Sequence, residues 1–134
     1  MQSELIGAGS LHEQCLLINK FIEVAQHLLT LNNFHSYFAI ITALESTMTT
    51  TPLSHAWRHI SKKTLKTFAK LRAVVKFDGN MKAYRKMAGS VHRKTAMIPL
   101  LPVICKDLRF LADATRPHVD GLMSYRRYVC FGGL

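Results

Sequence analysis

Acidic residues and cysteines are both scarce in this chain. Only 8 of its 134 residues are Asp or Glu, against 18 Lys or Arg, which gives a formal charge of +10 at neutral pH. The 3 cysteines, Cys15, Cys105 and Cys130, are far apart and odd in number. This spacing argues against a disulfide framework and favours reduced thiols, so we expect a cytoplasmic protein.

Long apolar runs are missing as well. The longest, from Met97 to Cys105, is interrupted by Pro99 and Pro102 and falls short of the roughly 20 residues that a membrane-spanning helix needs. The stretch from Met1 to Gly9 has neither a basic start nor an apolar core, which argues against a secretory signal. With 49% apolar residues, 4 Pro and 7 Gly, the composition is typical of one ordered globular domain.

The positive charge is concentrated in the later part of the chain. Residues 1–54 contain one base, Lys20, and four acids, a net charge of −3, whereas residues 55–134 contain seventeen bases and four acids, a net charge of +13. A charge of this size makes three classes of acidic partner plausible: nucleic acid, an anionic membrane and an acidic protein surface.

Helical patterns dominate the first fifty residues. Ser10 and Glu13 have the spacing of a capping box, which predicts a helix over about residues 11–31. The pair Asn32-Asn33 stops that helix, and Asn33 is placed to cap a second helix over about 34–46. The polar, β-branched run from Thr47 to Thr51 reads as a loop.

Four more helices are predicted further on, and no convincing strand alternation appears. Thr51-Pro52 suggests the start of a short helix with Leu53, Trp57 and Ile60 on its apolar face. Ser61 is placed to cap a helix over about 62–77, which Asp78-Gly79 breaks. A further helix contains Met81, Tyr84 and Met87 and ends at Ala88-Gly89, and the last has Pro102 in its first turn and runs to about Asp113. The expected fold is an all-α, irregular helical bundle.

The sequence contains no assembled catalytic or metal site. His55 and His59 have the i, i+4 spacing of metal ligands, but no Cys or carboxylate lies at ligand spacing nearby, so no metal or cofactor is expected. Cys15 and Cys105 read as small core residues, and nothing singles out a Cys–His pair. Gly7 to Ser10 lacks the strand and lysine of a phosphate loop and reads as a flexible lead-in.

A basic stripe is the main surface feature that the sequence predicts. Lys62, Lys66 and Lys70 repeat at i, i+4 on one helix, and Lys82 belongs to a basic region that follows. We name these four lysines the basic docking face. Three readings stay open for it: a solvated face, a site for an acidic protein, and an electrostatic footprint for nucleic acid.

Several short stretches share an order and spacing that is far more specific than any one motif. They are Lys20 to Ala25, Leu31 to Ser36, Ala39 to Ile41, Pro52 to Ser54, Trp57, Ser61 to Thr64, Tyr84-Arg85, Ile98-Pro99 and Lys106 to Leu108. In these stretches the chain resembles the catalytic domain of Ras-family guanine-nucleotide exchange factors. The resemblance covers about residues 10–128, with 1–9 as the lead-in and 129–134 as a divergent tail.

The resemblance implies a helical domain that releases GDP from a Ras-like small GTPase by protein contact, without covalent chemistry. In the family a hydrophobic pocket binds switch 2 of the GTPase, and a helical hairpin opens switch 1. The implied partner is a Ras-family GTPase rather than nucleic acid, and the GTPase would bring the chain near a membrane that it does not itself span. A non-catalytic module that docks a GTPase or a partner helix is the first alternative, and a basic nucleic-acid-binding helical domain is the second.

Carried over by position, the resemblance also names site residues. The predicted GTPase-binding pocket contains Phe38, Met81, Tyr84 and Leu100. The predicted wedge helix, which would enter the nucleotide site, runs from Pro99 to about Asp113 and includes Leu108, Arg109 and Asp113.

The chain also departs from the family pattern. Pro102 stands where the family usually has Gly, Glu45 replaces a common Asn, and the family's first helices are absent. After Asp120-Gly121-Leu122 the sequence diverges before the helix that would pair with the wedge helix. These departures lead us to expect the later portion of such a domain, with weak or no exchange activity.

Overall fold

Six α-helices form the fold of the described residues, which confirms the all-α prediction. The computed structural model describes residues 7–49 and 53–114 and the pairs 118–119 and 122–123. The helices are α1 (Leu11–Thr30), α2 (Phe34–Thr49), α3 (Ser54–His59), α4 (Lys62–Val75), α5 (Asp78–Ser90) and α6 (Leu101–Ala114). Two short strands, β1 (His118–Val119) and β2 (Leu122–Met123), pair antiparallel with His118 opposite Met123.

The chain divides into two compact units, Met1–Ile98 and Pro99–Leu134. In the first unit α1 packs against α2, α3 and α4, and α4 packs against α2 and α5. The second unit contains α6 and the strand pair.

The start of α1 confirms the predicted capping box. The Glu13 amide donates to Ser10 Oγ at 3.2 Å, and the Ser10 amide donates to Glu13 Oε2 at 3.3 Å. These bonds satisfy two amides that a helix start otherwise leaves without partners. The buried side of α1 contains Ile18, Ile22 and Ala25, whereas Val24, which is also apolar, is exposed.

A tight turn joins α1 to α2, as the two asparagines predict. Asn32 has φ 56°, a left-handed conformation that Asn tolerates better than most residues. Asn33 Oδ1 accepts from the Ser36 amide at 3.1 Å, which confirms Asn33 as the cap of α2. The Asn33 amide donates to the Leu28 carbonyl at 2.9 Å and closes the end of α1.

The predicted loop from Thr47 is wrong in its first three residues, because α2 continues to Thr49. A β-branched residue lowers helix propensity by only a few tenths of a kcal/mol, so a helix already propagating can include it. The rest of the predicted loop, with the predicted Thr51-Pro52 helix start, lies outside the described residues.

The middle of the first unit is built around α2 and α4. Tyr37 is fully buried, and its hydroxyl donates to the Leu71 carbonyl at 2.6 Å. On α3, the Trp57 ring lies 5.1 Å from that of Phe68. The large side chains with no exposed surface are Ile18, Ile22, Phe34, Tyr37, Ile41, Leu44 and Leu53.

Helix α4 begins as predicted but buries a narrower face. The Thr64 amide donates to Ser61 Oγ at 3.1 Å, which confirms the cap. Its buried residues are Phe68, Leu71 and Val75. Leu65 and Ala69 have a helical spacing that would also fit an inward face, but they are exposed because the packed stripe follows only the i, i+3, i+7 positions.

The entry to α5 is a left-handed turn. Helix α4 ends at Val75, two residues before the predicted end, and Gly79, Asn80 and Met81 have φ values of 56°, 56° and 62°. Gly79 takes this conformation at no steric cost and Asn80 tolerates it. Met81 is strained there by about 1–2 kcal/mol, and it is also buried.

Helix α6 begins at Leu101, two residues after the predicted start at Pro99. The Val103 and Ile104 amides donate to the Leu100 carbonyl at 3.0 and 3.3 Å. Pro102 therefore lies in the first turn, where its missing N–H removes no helical hydrogen bond.

The Tyr37 hydroxyl provides a test of the core. Replacing Tyr37 with Phe should lower the free energy of unfolding by about 1 kcal/mol, because a buried hydrogen bond to Leu71 is lost. The matched control is Thr30→Val, which removes an exposed hydroxyl that donates to the Gln26 carbonyl. We expect a change within about 0.5 kcal/mol there. Urea unfolding followed by circular dichroism measures both; equal effects would contradict the buried geometry.

Burial also makes stability depend on alkaline pH through Tyr37. Desolvation raises the pKa of Tyr37 well above its usual value of 10.0. Above pH 10 the unfolded chain loses this proton while the folded chain keeps it, so stability present below pH 10 is lost as pH rises. The expected slope approaches about 1.4 kcal/mol per pH unit. Unfolding of the wild type and Tyr37→Phe between pH 9 and 11 should show the gap between them closing; a constant gap would contradict it.

Candidate functional site

Two of the predicted pocket residues belong to a cluster of aromatic rings. The Tyr84 ring on α5 lies 5.3 Å from Phe34 and 5.6 Å from Phe38 on α2, with interplanar angles of 79° and 83°. Phe38 also lies 5.9 Å from Tyr37, again edge to face. Each such pair is worth about 0.5–1.5 kcal/mol beyond the area that it buries. The cluster therefore fixes α5 against α2.

The predicted pocket residues are almost completely buried. Phe38 is 5% exposed, Tyr84 4%, and Met81 7%, and Met81 precedes Tyr84 by three residues at the start of α5. Leu100 is also buried, but it lies in the second unit. Within the first unit the structure thus places Phe38 and Tyr84 in the aromatic cluster and buries Met81 separately, so packing is the main physical role of all three.

A backbone pairing that the sequence analysis missed lies beside this cluster. The Phe34 amide donates to the Ile98 carbonyl at 2.8 Å, and the Ile98 amide donates to the Asn32 carbonyl at 3.0 Å. Phe34 is the first residue of α2, so its amide has no partner within the helix. The pairing fixes the segment that leads into Pro99. No local pattern signals it, although both stretches carry the family resemblance.

Exposed apolar side chains surround that pairing. Leu31 is 69% exposed, Ile98 52% and Met97 38%. Isolated exposed apolar residues are normal, but these three lie on segments that the two backbone hydrogen bonds bring together. Exposed apolar side chains are therefore present on both segments of the pairing.

The predicted wedge helix presents both charged and apolar groups. Arg109 and Asp113 are exposed, whereas Pro99 and Leu108 are half-buried. Leu101 and Phe110, which no sequence pattern singles out, are 51% and 62% exposed. The ammonium group of Lys106 lies 5.6 Å from the centre of the Phe110 ring, a cation–π arrangement.

The basic docking face is solvent-exposed in the structure. Lys62, Lys66 and Lys70 are exposed along α4, and Lys82 is exposed on α5. A groove of about 510 Å³ contains Lys82 together with Lys76 and Lys86. The structure therefore associates Lys82 more closely with these two than with the α4 stripe.

The histidines and cysteines that the sequence analysis considered do not assemble into a site, and two of them contact the protein's own backbone. His59 Nδ1 lies 2.8 Å from the His55 carbonyl, and the Cys15 thiol donates to the Ala56 carbonyl at 3.5 Å. Cys105, predicted as a core residue, is exposed, because its place in an apolar run does not fix which side of α6 it occupies. Arg72 pairs with Glu45 across α4 and α2.

The described part of the chain contains no candidate metal site and no candidate membrane-spanning helix. No group of three His, Cys, Asp or Glu side chains there has a metal-binding arrangement. None of the described helices combines the length and the hydropathy that a transmembrane helix requires.

Comparison with known proteins identifies relatives across nearly the whole chain. The model of the RasGEF domain matches residues 1–128. The chain is 30% identical to rat Rap guanine nucleotide exchange factor 5, over 93% of the chain and 21% of the relative. It is 29% identical to a Rap guanine nucleotide exchange factor of Caenorhabditis elegans, over 93% of the chain and 8% of the relative. With Ras guanine nucleotide exchange factor R of Dictyostelium discoideum it shares 27% identity over 95% of the chain and 7% of the relative.

The chain thus spans about a fifth or less of the length of these curated relatives.

Two phenylalanines test the structural role of the predicted pocket. Phe38→Ala should lower the free energy of unfolding by about 3–4 kcal/mol, because Phe38 is buried against Tyr37 and Tyr84. The same change at Phe77, which is 75% exposed, should alter it by no more than about 0.5 kcal/mol. Thermal and urea unfolding measure both, and a small effect at Phe38 would contradict the packed cluster.

Proposed function

The chain belongs to the RasGEF domain family, and from that premise we propose that it promotes release of GDP from a Rap or Ras small GTPase. The match of the family model to residues 1–128 carries this proposal. The exchange-factor names of its relatives support it, with Rap more frequent among them than Ras. The aromatic cluster and the paired Ile98 segment would provide the rigid scaffold on which the contact depends.

The proposed reaction needs no covalent step from this chain. An exchange factor binds the nucleotide-free GTPase more tightly than the nucleotide-bound form, and by linkage GDP affinity falls by the same factor. A thousandfold loss of GDP affinity requires a coupling free energy of about 4 kcal/mol. A modest protein interface with a few well-packed side chains can supply such a difference.

We propose that α6 contributes the side chains that act on the nucleotide site. Leu101 and Phe110 offer apolar surface, and Arg109 and Asp113 offer charge of both signs. An Asp113 carboxylate close to the phosphates would disfavour bound GDP by like-charge repulsion. Within the first unit, the small exposed parts of Phe38, Met81 and Tyr84 would contribute to the pocket that holds the GTPase. Leu100 would be a GTPase contact of the second unit.

The lysines of α4 would act before contact is made. Lys62, Lys66 and Lys70 form an exposed row that attracts an acidic protein surface and raises the rate of encounter at low ionic strength. Contributions of this kind are strongly screened by salt, whereas the apolar contacts of α6 are not.

Release of a fluorescent GDP analogue from purified Rap, Ras and Ral proteins tests the proposal. Because the sequence departs from the family pattern, we expect micromolar amounts of the full chain to accelerate release only weakly, from at least one Rap or Ras protein. Leu101→Ala should reduce the acceleration by roughly tenfold, as loss of one buried leucine contact would. Leu16→Ala on α1 is the matched control, since Leu16 is 54% exposed and Leu101 51%; it should leave the rate unchanged.

A pull-down with GDP-loaded and nucleotide-free GTPase distinguishes exchange from simple docking. Preference for the nucleotide-free form supports the exchange reading. Equal binding to both forms, with no acceleration of release, would overturn it and leave a docking module. No binding and no acceleration with any of the GTPases would remove both readings.

A further inference from the structure

Phe77 is the most exposed large apolar side chain of the described residues. It is 75% exposed and lies between α4, which ends at Val75, and α5, which begins at Asp78. Because α4 and α5 pack against each other, Phe77 lies at the corner where α4 ends and α5 begins. A single exposed ring has no special meaning, but what lies around this one does.

Lysines surround the corner. The groove beside it, of about 510 Å³, is lined by Ala73, Lys76, Asp78, Gly79, Lys82, Ala83 and Lys86. All three lysines are exposed, and none of the described carboxylates is paired with them. Ala73 and Ala83 add apolar surface to this groove beside the three exposed lysines.

The backbone holds this arrangement at an energetic cost. Gly79, Asn80 and Met81 are all left-handed, and Met81 pays steric strain that a right-handed helix start would avoid. The Arg85 side chain donates to the Asn80 carbonyl at 2.9 Å and supports the turn. Strain retained in a surface turn points to a role for the geometry that the turn creates.

Charge around the corner is almost entirely of one sign. Residues 62–94 contain eleven Lys or Arg and a single acid, Asp78. The net charge of this segment alone equals the +10 of the whole chain. The corner therefore lies in a strongly positive field that its one neighbouring carboxylate, Asp78, neutralises only in part.

We propose that the α4–α5 corner, formed by Phe77, Lys76, Lys82 and Lys86, binds the surface of an anionic membrane. The Phe77 ring would enter the boundary between headgroups and acyl chains, and the three ammonium groups would contact lipid phosphates. An exposed aromatic ring near several lysines suits a bilayer interface. There the acyl chains and the lipid phosphates lie within about one side-chain length of each other.

The chemistry of the corner favours a membrane over the other acidic partners. A single-stranded nucleic acid binds rows of aromatic side chains, and the corner offers one ring. A protein interface has a broad apolar centre, whereas the corner is a single projecting group within a basic surround. The membrane proposal goes beyond GDP exchange, and its test uses no GTPase. The membrane proposal and the exchange proposal can therefore fail independently of each other.

Vesicle flotation with the full chain tests the proposal. The chain should float with vesicles that contain roughly one third phosphatidylserine and remain unbound with pure phosphatidylcholine. Lys76→Gln, Lys82→Gln and Lys86→Gln should each weaken partitioning by about fivefold. Phe77→Ala should weaken it by about tenfold or more, since a ring no longer enters the interface.

Matched variants show whether vesicle binding depends on the corner or on any exposed lysine or apolar side chain. Lys20→Gln removes an exposed lysine from α1, and Leu31→Ala removes an apolar side chain that is 69% exposed. Both should leave partitioning within twofold of the wild type. Circular dichroism of every variant checks that the fold is intact; the altered side chains are exposed, so unfolding is not expected.

Three results would overturn the proposal. The first is equal binding to both kinds of vesicle, and the second is an unchanged partition coefficient for Phe77→Ala. The third is tighter binding to a short nucleic acid than to anionic vesicles at the same salt, with the same loss in the lysine variants, which would assign the corner to nucleic acid.

Discussion

The two hydrogen bonds between Ile98 and the turn from Asn32 to Phe34 are the constraint on which the first unit depends. They give the first amide of α2 a partner that its own helix cannot supply, and they bind the last residue of the unit to the turn between α1 and α2. Phe34 continues the connection through its ring, which meets Tyr84 on α5. One residue thereby joins the hairpin turn, the segment before Pro99 and the last helix of the unit. A change that displaced it would disturb all three.

Local sequence patterns predicted most of the helical framework but not the Ile98 pairing. The helix caps at Ser10, Asn33 and Ser61 depend on residues three positions away, so they can be recognised from the sequence alone. The Ile98 pairing is non-local and has no pattern. The exposure of individual side chains also depends on non-local packing. Helical spacing predicts an apolar stripe but not how wide its buried part is, and Leu65 and Cys105 are both exposed. The extension of α2 to Thr49 shows propagation overriding residue preference.

In the candidate site, the residues that the family resemblance names are mostly buried packing residues. The family resemblance led to Phe38, Met81 and Tyr84, and the structure places them where they stabilise the fold and present little surface. A substitution there alters stability and surface together, so a loss of activity alone would not identify a binding role. The exposed groups of α6, chiefly Leu101 and Phe110, have the opposite character. Periodicity did not single them out, because an exposed apolar residue on an amphipathic helix is indistinguishable in sequence from a buried one.

The shortage of acidic residues ties the two proposed surfaces together. With 8 carboxylates in the whole chain and Glu45 already paired to Arg72, few remain to neutralise the lysines of α4 and α5. At physiological ionic strength a charge is felt over about 8 Å, so a lysine acts mainly on what lies directly before it. The α4 row and the α4–α5 corner can therefore serve different partners although they share one basic region. A membrane held at the corner would confine the chain to a surface and raise its effective concentration toward any GTPase on that surface, without a single added contact between the two proteins.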